Sequence, residues 1–127
     1  MIKRRKLLTL LGVTSALAAP AVRAQKPIRL LEVLDAEVAG FGYYQTDEFL
    51  THISSGDALT LKREPDNKHD QRAIEVYWGE HKIGYVPRVN NRALSRLMDN
   101  GEAVSAEVTR TLAGNWKPVK FVVRVGV

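Results

Sequence analysis

The densest group of side chains able to do chemistry is the polar run Arg63-Glu64-Pro65-Asp66-Asn67-Lys68-His69-Asp70-Gln71-Arg72. His69 and Asp70 are the residue types of a base and its orienting carboxylate, but no serine stands where it could be the activated nucleophile. The three histidines, His52, His69 and His81, have no i, i+4 spacing on a helix. Zinc is therefore weakly supported, with His69 and Asp70 as the candidate ligands. The chain has no cysteine, which excludes disulfides, thiol chemistry and thiolate metal sites. It has no phosphate-cradling glycine loop, so nucleotide hydrolysis is not expected, nor is any cofactor. Binding chemistry remains. Asn67 and Asp70 can hydrogen-bond a ligand or fold their own loop through side-chain-to-backbone bonds. Tyr43-Tyr44 offer aromatic faces that can stack on a ligand or cover one end of the fold. Arg63 at the head of the run and Arg88 beyond it supply cations, and Lys82 and Arg92 are further candidates.

These residues must be held by short strands. Leu30 to Ala39 alternates from Glu32 onward, with Leu34, Ala36 and Val38 on one parity and Val33, Asp35 and Glu37 on the other. Gly40-Phe41-Gly42 breaks that run, and residues 46–54 could make a helical turn. Ala58 to Arg63 reads as a strand, and Glu64 to Gln71 as a loop. Ala73 to Trp78 and Lys82 to Val86 alternate on either side of Gly79-Glu80, a hairpin pattern that Pro87 ends. Asn90 or Asn91 is placed to cap a helix over Arg92 to Asn100, with Gly101 where a C-terminal glycine belongs. Ala93, Leu94, Leu97 and Met98 would form its apolar stripe. Ala103 to Leu112 and Val119 to Val127 complete six strands. One domain's worth of chain, 127 residues with 45% hydrophobic and 26% charged, fits a mainly β fold. The expectation is a small OB-like β-barrel of about six strands with one or two short helices.

The net charge of +5 lies in the first 24 residues, which hold Lys3, Arg4, Arg5, Lys6 and Arg23 and no acid. This basic start, the apolar stretch Leu7 to Ala19 and the small residues ending at Ala24 follow the plan of a cleavable export signal. The stretch is too short to span a bilayer, which takes ~20 residues. Arg4-Arg5-Lys6-Leu7-Leu8 resembles a twin-arginine core, although either export route fits. The expected product is a single domain over residues 25–127, periplasmic or secreted, without a stable membrane anchor. That domain is neutral overall but polarised: residues 62–96 hold eight basic and five acidic side chains, and residues 25–57 hold two and six. A localised anion site can use such an asymmetry.

The pattern Leu59-x-Leu61-x-Arg63-Glu64-Pro65-x-Asn67-x-x-Asp70-x-x-Ala73-Ile74-x-Val76 is followed by Lys82-Ile83-Gly84-Tyr85-Val86-Pro87 and the helix. Together with Val38-Ala39-Gly40-Phe41-Gly42-Tyr43-Tyr44 it resembles the HIRAN domain over residues 30–125. The resemblance implies a modified OB-like barrel that binds the 3′ end of single-stranded DNA. By that likeness Tyr43 and Tyr44 stack on bases. Asn67 and Asp70 take the terminal sugar, and Arg63 and Arg88 the phosphates. Gly42 and Pro87 stand where DNA-binding members carry basic residues. The ATP hydrolysis and zinc-binding RING of the family's translocases belong to other domains. The expected function is an exported, non-enzymatic module binding single-stranded nucleic-acid ends or a similar anionic ligand. The alternative is a module that docks a protein partner or an envelope polymer through the same face.

Overall fold

The computed structural model describes residues 28–41, 51–111 and 119–127. The expected export signal, Gly42, the Tyr43-Tyr44 pair and most of the helical turn expected at 46–54 lie outside them. Six strands are described: β1 (Leu30–Glu37), β2 (Ala58–Arg63), β3 (Ile74–Trp78), β4 (His81–Tyr85), β5 (Val104–Thr111) and β6 (Val119–Gly126). A 3-10 turn, Arg88–Asn90, leads into a nine-residue helix, α1 (Asn91–Asp99).

The strands form one antiparallel sheet in the order β1-β6-β5-β2-β3-β4. β2 is the corner strand: Ala58 and Leu59 pair with β5, whereas Thr60 to Arg63 pair with β3. The sheet therefore curls, but its ladder does not close into a continuous barrel. Its two end strands meet at one bridge, where the Ala39 N–H donates to Tyr85 O (2.8 Å) and the Tyr85 N–H to Ala39 O (2.9 Å). Gly84 makes this approach possible. A Cβ there would run into Ala39 O and a Val38 methyl, and its φ of +152° is one that L side chains rarely adopt.

In β1 the register slips between Glu32 and Leu34, leaving Val33 as an exposed bulge residue. Beyond it the alternation holds: Ala36 and Val38 are buried, Leu34 packs on the core, and Asp35 faces out. The core is the inner face of the curl, centred on Phe121, Ile74, Ile83, Val76 and Val108, with Leu94 of α1 over it.

The helix differs from expectation at its start. Asn90 occupies the N-cap position with helical dihedrals and makes no side-chain cap bond, because the preceding 3-10 turn already feeds the helix. The Asn91 amide is used elsewhere, on Asp70. The buried stripe is also rotated. Asn91, Leu94 and Ser95 are buried and Met98 packs on the core, whereas Ala93 is exposed and Leu97 only half-buried. The helix end is as expected. Gly101 (φ +83°) donates to Met98 O and the Glu102 N–H to Leu97 O, the paired bonds of a Schellman stop.

Candidate nucleic-acid interface

The polar run becomes a compact loop between β2 and β3, organised by Asn67. Its Oδ1 accepts from the His69 N–H (2.8 Å) and the Asp70 N–H (3.0 Å), while its Nδ2 donates to Glu64 Oε1 (2.8 Å). Its side-chain amide is thus turned on the loop itself. Glu64 ties the loop to β4, because the same Oε1 accepts the Tyr85 hydroxyl (2.6 Å). The Tyr85 hydroxyl and the Asn67 amide hold the Glu64 carboxyl below its ordinary range. Lys82 extends the chain. Its Nζ donates to the Tyr85 oxygen (2.8 Å), lies 4.3 Å from the centre of the Tyr85 ring and pairs with buried Glu75 (2.9 Å). Lys82 therefore belongs to a buttress under the loop.

Asp70 is the next fixed point of the loop. Its Oδ1 accepts the Arg72 N–H (2.9 Å) and its Oδ2 the Asn91 Nδ2 (2.7 Å). Burial pushes the Asp70 carboxyl up, but those two donors and the Arg88 and Arg72 charges outweigh it and leave the group below the usual carboxylate range. Asp70 is a fixed anion at neutral pH with acceptor capacity to spare, since a carboxylate offers about four lone-pair sites. Arg88 arches over it. One Nη donates to His69 O (3.0 Å), and Nε lies 3.9 Å from Asp70 Oδ2, with the side chain 74% exposed. An exposed pair at that distance contributes little to stability, so the Arg88 charge is available to a ligand.

Between the loop, the Ala39–Tyr85 bridge and the start of α1 lies a cavity of about 330 Å³. It is lined by Ala39, Asn67, His69, Asp70, Ala73, Tyr85, Val86, Arg88 and Asn91. The structure thus brings together Asn67, His69, Asp70 and Arg88. It does not bring Arg63, which makes a two-sided staple. Its Nε and Nη2 hold Asp99 at the end of α1 (2.9 and 3.3 Å), and its Nη groups donate to Ala73 O (2.7 Å) and Gln71 O (3.0 Å). With its donors so engaged and its side chain 15% exposed, Arg63 fastens the loop to the helix. Arg92 is exposed on α1 and does not line the cavity. Tyr43 and Tyr44 lie outside the described residues. Among the described residues, no three His, Asp or Glu side chains converge as a metal site requires. Sequence reasoning missed Asn91 as a site residue, because an asparagine ahead of a helix reads as a cap.

A second depression, about 680 Å³, lies at the other end of the β3–β4 hairpin against Asp57, Trp78, Glu80 and His81. It is broader and more open, and its Asp57 carboxylate accepts the Ser54 N–H (2.8 Å) and Trp78 Nε1–H (3.0 Å) on one oxygen. Those bonds hold Asp57 below its ordinary range. The smaller cavity is the better candidate for an anionic ligand, because an exposed guanidinium, Arg88, lines it beside the Asp70 carboxylate.

The model of the HIRAN domain matches residues 31–127. The chain belongs to the HIRAN family. The crystal structure of a protein from Lactobacillus plantarum is similar to this HIRAN domain with a TM-score of 0.70 and 27% sequence identity. The match covers 79% of this chain and 98% of that one. The crystal structure of the HIRAN domain of human HLTF shares the fold, with a TM-score of 0.58 and 22% identity over 73% of each chain. None of the curated proteins matches the chain. Six antiparallel strands with a short helix are the OB-like HIRAN architecture, here with one bridge joining the ends of the sheet.

Proposed function

We propose that this HIRAN domain is a non-enzymatic module that binds the 3′ end of a single-stranded nucleic acid, or a similar anionic ligand, after export from the cytoplasm. One observation carries the reading: an ionised carboxylate, Asp70, is fixed at the wall of a cavity directly beneath an exposed guanidinium, Arg88. The carboxylate can accept a terminal hydroxyl, and Arg88 can meet the phosphate before it. A terminal phosphate brought to Asp70 would instead meet a like charge. Asn67 builds the loop, and Arg63 holds it to the helix. Tyr43 and Tyr44, which follow Phe41-Gly42 in the chain, are proposed as the stacking surface, which is tolerant of base identity. Export rests on the sequence of residues 1–24. The N-terminus of protein recovered from a periplasmic extract should be near Gln25, and a mature form beginning at Met1 would contradict it.

A second reading, docking of a protein partner, is favoured by the exposed Ile28, Leu30, Leu31 and Val33 along the end strand β1. Titration of residues 25–127 with labelled single strands separates the two. Absence of strand binding at low salt would favour the docking reading.

A further inference from the structure

Asn91 is 1% exposed, and its Oδ1 has no hydrogen-bond partner. The orientation of the amide is fixed by its neighbour. Nδ2 sits 2.7 Å from Asp70 Oδ2, and a flipped amide would press two oxygens together. A buried acceptor without a donor is rare and needs an explanation. Here it lies on a residue that lines the candidate cavity, attached to the same carboxylate that the proposed function places against the ligand.

We propose that the cavity recognises a ribose end, a sugar carrying both a 2′- and a 3′-hydroxyl, so that the preferred ligand is the 3′ end of an RNA strand. This inference rests on the end-binding reading above. One hydroxyl donates to Asp70, and the adjacent one donates to Asn91 Oδ1. A single hydroxyl would be satisfied by Asp70 alone and would leave Asn91 Oδ1 unpaired. Two neighbouring hydroxyls pair both acceptors. Asn91 lines the cavity beside Asp70, at the start of α1. The Asp70 carboxylate and Asn91 Oδ1 are both acceptors, which suits a diol and rejects an anion. Ala39, Ala73 and Val86 give the sugar carbons an apolar wall, and Arg88 at the rim meets the preceding phosphate. The 2′-hydroxyl is the group by which a protein tells RNA from DNA.

The test uses the chain without residues 1–24 and three labelled single strands that differ only in the last sugar: a 2′,3′-diol, a 2′-deoxy 3′-hydroxyl and a 3′-phosphate. The diol end should bind more tightly than the deoxy end by about 2- to 12-fold, the gain from one added neutral hydrogen bond. The deoxy end should in turn bind more tightly than the phosphate end. In Asn91→Ala the ratio of diol to deoxy affinity should fall to about one. Should that variant not fold, competition by ribonucleoside and 2′-deoxyribonucleoside 5′-monophosphates on the unaltered protein supplies the same ratio. Equal affinity for diol and deoxy ends, with the phosphate end weaker, would overturn the ribose inference and leave the end-binding reading standing. A ribose preference that survives in folded Asn91→Ala would overturn the role of Asn91. Equal affinity for all three ends, or no binding, would overturn the end-binding reading and this inference with it.

Discussion

Gly84→Ala tests whether the single bridge between the ends of the sheet holds the site together. The added Cβ would meet Ala39 O and a Val38 methyl, one of them backbone and neither at the end of a long flexible side chain. Forcing a methyl into packed structure costs about 1–3 kcal/mol. Separating Ala39 from Tyr85 removes two hydrogen bonds, 2.8 and 2.9 Å, contributing about 0.5–1.5 kcal/mol each. The two effects overlap, since moving apart relieves the collision, but the strain of an alanine at φ +152° adds to them, so the expected loss is about 3–5 kcal/mol. That is a large fraction of the ~5–15 kcal/mol of an ordinary domain. Gly79→Ala is the control. It also has a positive φ (+61°), but nothing lies within 4 Å of its added Cβ, so it should cost only about 1–2 kcal/mol of backbone strain. Urea denaturation of both variants measures the difference. Because Ala39 and Tyr85 line the cavity, strand binding should weaken in Gly84→Ala and not in Gly79→Ala. Equal denaturation midpoints for Gly84→Ala and the unaltered protein would refute the reasoning, as the bridge would then be dispensable.

Leu94→Ala should cost about 2–5 kcal/mol and Leu97→Ala clearly less, because only Leu94 is fully buried; denaturation midpoints decide. Arg63→Ala should lower stability without changing the salt dependence of strand binding. Arg88→Ala should leave stability within about 0.5 kcal/mol and make the log–log salt slope shallower by about 0.7, the contribution of one phosphate contact on a single strand. Asp57, Glu64 and Asp70 all have folded pKa values below their unfolded ones, so the stability they supply is complete above the unfolded values and lost as pH falls through the folded ones. A pH series should therefore show stability falling below about pH 4, with a less steep acid limb in Asp70→Asn.

What could be read in the sequence was local. Ala58 to Arg63 and Ala73 to Trp78 read as strands, and their bounds match within a residue. Gly101 marks the helix end because only a residue at ease with positive φ closes a Schellman stop. The Asn67 loop bonds span two or three positions and follow from residue type. What could not be read joins distant residues. Arg63 meets Asp99 across 36 positions, and Asn91 meets Asp70 and Tyr85 meets Glu64 across 21. No periodicity records such partners. Arg63 therefore looked like a free phosphate ligand, and Asn91 like a cap. The rotation of the α1 stripe has the same origin: Asn91 is buried because Asp70 receives it, and that turns Ala93 outward.

The central claim is that Asp70 beneath Arg88 reads the end of a strand. It is tested most directly by titrating residues 25–127 with one short labelled single strand bearing either a 3′-hydroxyl or a 3′-phosphate, at two salt concentrations. The hydroxyl end should bind more tightly at both, with a shallow salt slope from few phosphate contacts, and the preference should be lost in Asp70→Ala. Equal competition by the two ends for the unaltered protein would contradict it.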